Sequence, residues 1–207
     1  MEAAIESVLK EFHERSEREG ELYRSLSSEE FHARIDEFLL PIGPEAGRLV
    51  NLLIKTRGAR AIVEVGTSHG YSAVWLAEAA RATGGHVTSF DIHAGKQEYA
   101  RQALERAGLA QFVEFVLGDA QELIPQLPGS VEFALVDHWK SLYVPCYEVL
   151  LPKLAPEALI VADNMIFPED REGHIQAYLE RVRGTTGMET VTVPIGNGLE
   201  LSRYAGP

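Results

Sequence analysis

Cysteine is almost absent from this sequence, with one residue, Cys146, in 207. A lone thiol cannot close an internal disulfide, and a chain of this length can be stable without one, so a reducing compartment fits. Basic residues are scarce as well: 19 Lys and Arg stand against 31 Asp and Glu, a formal net charge of −12. Affinity for a nucleic-acid backbone comes from cations that displace counterions, so no nucleic-acid partner is expected. Long apolar runs are also missing. The N-terminal stretch MEAAIESVLKEFHERSEREGE is charged throughout and reads as neither leader nor membrane span, so a cytoplasmic protein with no membrane partner is expected. Without repeats, low-complexity tracts or linkers, a single domain over residues 1–207 is expected.

What is present falls into two textures. From residue 2 to about 40 the spacing is helical: Ile5, Val8, Leu9 and Phe12 share one face, and Phe31, Ile35 and Phe38 share another. Gly20 is expected to separate two helices. Pro41 and Pro44 bracket a short loop, and a further helix over 45–56 should stop at Gly58. Beyond that, apolar runs of strand length alternate with amphipathic stretches, the pattern of a parallel sheet covered on both faces. The runs are 61–65, 86–90, 112–117, 133–136 and 158–162. Two further strands, 189–195 and 199–204, flank Gly196-Asn197-Gly198, a strong signal for an antiparallel hairpin. The expected fold is α/β: a Rossmann-like, doubly wound, mostly parallel seven-stranded sheet ending in an antiparallel hairpin. Residues 1–57 would form an N-terminal helical cap and 58–207 the core.

In such a sheet the ligand sits beyond the carboxyl ends of the strands. The first strand closes with EVGTSHGYS, in which Gly66 and Gly70 allow a sharp turn and close approach to a ligand. Ser68 occupies the place of the middle glycine of a dinucleotide fingerprint, which counts against NAD or FAD. The second ends at Asp91, followed by Ile92, and an acid there can accept both hydroxyls of a ribose. The third ends in Gly118-Asp119-Ala120-Gln121, where polar groups either meet an adenine edge or, for Asp119, merely cap a helix.

The fourth and fifth strands end differently, with Asp137-His138-Trp139-Lys140 and Asp163-Asn164. Asp137, Asp163 and Asn164 supply hard oxygen ligands suited to magnesium or another divalent cation. Lys140 falls at a helix start beside that metal site, where the positive helix terminus and the cation both disfavour its protonated form, so it can serve as a general base. A solvated surface lysine and an ordinary Asp-Asn turn are the bland alternatives.

LVDHWKSLY, LIVADNMIFP and the terminal NGLELSRY occur in an order and spacing that resemble the cation-dependent O-methyltransferases, and the resemblance extends from about Pro41 to the C-terminus. It implies S-adenosylmethionine as methyl donor, Mg2+ as metal and a small aromatic with adjacent hydroxyls as acceptor. It also implies that Ile42, Glu64, Gly66, Tyr71, Ser72, Asp91, Gln121 and His138 line the donor, and that Asp137, Asp163 and Asn164 hold the metal. Lys140 would be the base, Glu200 would accept a hydrogen bond from the second hydroxyl, and Trp139 and Pro168 would wall the acceptor slot. Phe38 and Leu40 stand where animal members of the family have a tryptophan and a methionine guarding that slot. The stretch PIGPEAGRLVNLLIKTRGARAIVEVGT looks more like the caffeoyl-CoA branch, so caffeoyl-CoA, flavonoid or other phenolic acceptors are alternatives. A nicotinamide-dependent oxidoreductase and a noncatalytic binding protein rank lower. The N-terminal helix matches nothing usable, which leaves a lid, a homodimer contact, or both, open to it.

Overall fold

The computed structural model describes residues 2–206, apart from the side chains of Ser28 and His32. Three helices come first: α1 (Ala3–Arg24), α2 (Ser28–Arg34) and α3 (Pro44–Arg57). Five strands follow, β1 (Ala61–Val65), β2 (His86–Asp91), β3 (Val113–Leu117), β4 (Val131–Val136) and β5 (Leu154–Ala162). Helices α4 (Tyr71–Thr83), α5 (Ala94–Arg106), α6 (Ala120–Leu123) and α7 (Tyr143–Leu150) connect them. After β5, α8 (His174–Arg183) leads to the hairpin of β6 (Met188–Val193) and β7 (Leu199–Tyr204). The sheet order is β3-β2-β1-β4-β5-β7-β6. β1 to β5 run parallel, and β7 is antiparallel to both β5 and β6. This is the mostly parallel, hairpin-ended α/β sheet that the alternation of apolar runs predicts. No helix among the described residues is long and apolar enough to cross a membrane.

Each face of the sheet carries its own core, which is why the strands read as nearly unbroken apolar runs. Ile62 of β1 packs with Ile5, Phe12, Val50, Ile54 and Trp75 of α1, α3 and α4, whereas Val63 and Val65 pack with Tyr143, Tyr147 and Tyr178 of α7 and α8. The N-terminal helices therefore share the core of the first face. α3 starts on Pro44 and ends on Gly58, whose φ of 70° suits a residue without a side chain. A side chain on Gly47 would lie 2.4 Å from the Trp75 ring, so the close approach of α3 to α4 depends on this glycine.

Strand ends shift by a residue or two, β4 starting at Val131 and β6 ending at Val193, and two larger differences stand beside these. α1 runs straight through Gly20. A helical glycine costs about 1 kcal/mol against alanine, which the burial of Ile5, Val8, Leu9 and Phe12 outweighs. The break falls at Ser27, where a capping box starts α2: the Glu30 N–H donates to the Ser27 hydroxyl and the Ser27 N–H donates to the Glu30 carboxylate. β5 begins at Leu154, four residues before the apolar run 158–162. Pro156 and Glu157 hide its start, because the register against β4 shifts there and Glu157 adopts φ 66°.

Candidate active site

The carboxyl ends of β1 to β5 form one edge, tied rung by rung. Gly118 N–H donates to Asp91 O, Gly66 N–H to Phe90 O, Asp137 N–H to Val65 O, and Asp163 N–H to Val136 O, at 2.9 to 3.1 Å. The loop after β1 lies flat against the neighbouring strand end. A Cβ on Gly66 would sit 1.8 Å from the Asp137 carbonyl oxygen, and one on Gly70 would sit 2.5 Å from Ala100 Cβ. Between them Ser68 takes φ 45°, with its N–H donated to Asp91 Oδ2 (2.8 Å), while Asp91 Oδ1 accepts from His93 N–H (2.8 Å). Asp91 is thus fixed in place by two backbone donors, and each carboxylate oxygen keeps a lone pair for a further donor.

A cleft opens over this loop. One wall is Leu39, Leu40, Pro41 and Ile42, and the other runs from Gly66 through Ser72, with Asp137 at its end. Ile42, Gly66, Tyr71, Ser72 and Asp137 were expected here. Leu39, Pro41, Thr67, Ser68 and His69 were not. Beneath the loop Glu64 is fully buried. Burial pushes its carboxyl up to about 7, against the pull of hydrogen bonds from Ser72 and Ser89, and Asp91 raises it further. Its Oε1 has no partner.

Asp137 and Asp163 stand on adjacent strand ends, and both carboxyls lie well above the usual carboxylate range. For Asp137 the causes are burial, then the charge of Asp163, then Glu64; for Asp163 it is burial, partly offset by the Asn164 N–H. Asp163 Oδ1 is buried and unpartnered. Asn164, at φ 61°, donates from its amide to Phe167 O at 3.4 Å, leaving its carbonyl oxygen available. Among the described residues no group of three or more His, Cys, Asp or Glu side chains is arranged to hold a metal. The two carboxylates interact at this edge, with Asn164 next in the chain to Asp163, and their unmet negative charge and orphaned oxygen fit a bound cation.

Lys140, half-buried on a 3-10 turn after β4, donates from Nζ to the Pro168 carbonyl at 2.5 Å. Burial lowers its pKa, opposed by Asp170. Trp139, which precedes it in the chain, and Ile166 and Phe167, which precede Pro168, are exposed, 50%, 57% and 65% respectively. His138 stacks on Tyr143 with ring centroids 5.1 Å apart. Burial drives its pKa to about 4, so the ring is neutral, and both ring nitrogens are buried without partners.

Other expected residues have different surroundings. Asp119 caps α6 by accepting from Gln121 N–H (2.8 Å), the helix-cap alternative. Ala120 is buried, Gln121 half-buried and Ile92 62% exposed, all at the ends of β2 and β3. Phe38, expected to guard the acceptor slot, is buried against Phe31, stacked at 5.7 Å, and Tyr23. Leu40 lines the cleft of Ile42. Glu200, expected to accept a hydrogen bond from an acceptor's second hydroxyl, already has partners within the protein. Its carboxylate is fully buried and accepts from Arg183 Nη2 (3.0 Å), Thr190 Oγ1 (2.5 Å) and Thr192 Oγ1, so it closes the hairpin and holds α8. Glu200→Ala should therefore lower stability by about 3 kcal/mol, since three donors lose their acceptor. Denaturant melts would check this, and an unchanged midpoint with altered product ratios would restore the clamp.

A family profile described as a methyltransferase domain matches residues 63–165. Mouse catechol O-methyltransferase is 28% identical over 187 residues, covering 83% of this chain and 68% of the mouse protein. Maize caffeoyl-CoA O-methyltransferase 2 is 28% identical, over 80% of this chain and 70% of its own length. In fold, the chain is similar to the O-methyltransferase TomG from Streptomyces achromogenes, solved in complex with SAM. That match has a TM-score of 0.77 at 23% identity and covers 100% of this chain and 91% of the other.

Proposed function

The chain belongs to the class I O-methyltransferases, close to the catechol O-methyltransferases, and we propose that it methylates a hydroxyl of a small phenol with adjacent hydroxyls. The methyl donor would be S-adenosylmethionine, and a divalent cation, most simply Mg2+, would assist. The observation that carries this reading is the pairing of Asp137 and Asp163: two carboxyls on neighbouring strand ends, both held above the usual carboxylate range, Asp163 buried with an orphaned oxygen and Asp137 at the end of the cleft, with Lys140 on the turn after β4.

S-adenosylmethionine supplies a methyl group on a sulfonium centre. The cleft between residues 39–42 and 66–72 would hold its methionine portion, with the backbone donors at the start of α4, that of Ser72 among them, facing its carboxylate. Asp91 would accept the ribose hydroxyls, Ile92 and Ala120 would flank the base, and Gln121 and neutral His138 would offer it hydrogen-bonding atoms. A divalent cation on Asp137, Asp163 and Asn164 would lower the pKa of a phenol chelated to it. Lys140 Nζ would then take the phenolic proton, helped by the burial that favours its neutral form. Trp139 and Pro168 would fix the ring plane so that the aryl oxygen approaches the methyl carbon opposite sulfur.

Because Glu200 already has three donors in the hairpin and the relatives include a caffeoyl-CoA O-methyltransferase, caffeoyl-CoA or flavonoid phenols are acceptors to test beside catechols. Labelled methyl transfer from S-adenosylmethionine to a panel of catechols and phenylpropanoids, with Mg2+ and with a chelator, tests the reading. Transfer to a catechol that stops when the cation is removed is expected. Transfer indifferent to the chelator would remove the metal from the proposal, and no transfer to any phenol would remove the acceptor class.

A further inference from the structure

One wall of the cleft, residues 39–42, is continuous with a 3-10 turn at Ile35–Glu37, and the contacts that hold this segment converge on one side chain of α1. Arg15 Nη2 donates to the Glu37 carbonyl at 3.1 Å. Its Nε donates to Glu19 Oε1 at 2.5 Å, and Glu19 Oε2 accepts the backbone N–H of Leu39 at 2.7 Å. The same guanidinium donates to His69 Nε2 in the loop after β1 (3.3 Å) and lies 5.0 Å over the Tyr99 ring of α5. A second anchor is Asp36, which accepts from Lys96 Nζ at 2.8 Å and faces His93 Nε2 at 3.5 Å. Just past these anchors Leu40 takes φ 43°, a conformation a leucine adopts only when its surroundings impose it.

We propose that Arg15 is a positioning residue for methyl-donor binding, tying α1, the wall at 35–42, the glycine loop and α5 into one closed arrangement. A planar guanidinium carries five N–H groups in a fixed fork, enough to serve Glu19, Glu37 and His69 together while stacking on Tyr99. A lysine amine at this site reaches Glu19 but cannot span the others. Arg15 touches no group assigned to the reacting atoms, so it acts on donor affinity through the preformed wall and not on the chemical step. The proposal rests on the cleft being the donor site.

The test is calorimetric binding of S-adenosylhomocysteine to the full chain, with steady-state kinetics and tryptic cleavage after Arg34. Arg15→Ala should weaken binding by about tenfold or more, raise donor KM in proportion, and leave kcat at saturating donor within about twofold. Cleavage after Arg34 should accelerate in the ligand-free variant and slow again with saturating S-adenosylhomocysteine. Arg15→Lys should not rescue affinity. Asp36→Ala should move the same quantities in the same direction by less, and it serves as the test variant if Arg15→Ala fails to fold. Unchanged affinity and cleavage in the variants overturn the proposal, as does a loss confined to kcat. If the parent chain takes up no S-adenosylhomocysteine, the donor reading fails instead, while cleavage after Arg34 still reports whether Arg15 holds the wall.

Discussion

Lys140→Ala is expected to cut kcat by about 10²- to 10⁴-fold, the usual contribution of a positioned general base. Donor affinity should stay within about twofold, because the lysine lies off the cleft between residues 39–42 and 66–72. The side chain is half-buried, and one hydrogen bond, to Pro168 O, fixes its direction. Its loss should cost about 1 kcal/mol of stability, too little to explain a large kinetic effect. Burial pulls the amine below its ordinary value while Asp170 pulls the other way. In the parent, kcat should accordingly rise with pH and level off below the pH at which an ordinary lysine titrates. Lys140→Arg should be as slow as the alanine variant, since a guanidinium keeps its proton at any accessible pH. Turnover unchanged by either substitution, or a change confined to acceptor KM, would take Lys140 out of the proton transfer.

Much of the fold was legible because burial on both faces forces each strand to be apolar from end to end, and because Gly196-Asn197-Gly198 marks the hairpin. The start of β5 was not, since Pro156 and Glu157 break the apolar run at a bulge whose cause is the register against β4. The strand-end carboxylates were legible for a topological reason: parallel strands send Asp91, Asp137 and Asp163 to one edge whatever the loops do. The opposite wall was not, because its position depends on contacts distant in sequence, such as Leu39 N–H on Glu19 and Arg15 on His69. Ser68 was read only as a missing glycine, although its left-handed backbone and its hydrogen bond to Asp91 let it turn the loop without one. The partners of Glu200 were not legible because they come from register. Thr192 is its direct partner across the β6–β7 ladder, and Arg183 reaches it from α8.

Asp163→Asn is expected to move stability and activity in opposite directions. In the metal-free parent, Asp163, Asp137 and Glu64 crowd three carboxyls into a buried edge, and each is held above its ordinary range. An acid whose folded pKa exceeds its unfolded one destabilises the fold as pH rises past the unfolded value near 4, and the full penalty is present above the folded pKa. The parent without metal should therefore lose stability from about pH 4 to about 7, where Glu64 also titrates. The neutral amide removes one of these charges at nearly constant volume. At pH 8 the variant should gain about 1 to 3 kcal/mol over the metal-free parent, or roughly 2 to 4 °C in Tm per kcal/mol for a chain of this size. Near pH 4 the gain should vanish. Mg2+ should raise the parent's Tm at pH 8 by relieving the same repulsion, and should raise the variant's far less. Turnover should fall by about two to three orders of magnitude, equivalent to about 3 to 4 kcal/mol of barrier. Thermal melts at pH 4, 6 and 8 with and without Mg2+, set beside kcat, check all of this. A variant less stable than the parent at pH 8 would mean that the Asp163 carboxylate is already satisfied within the protein and is not held in reserve for a cation.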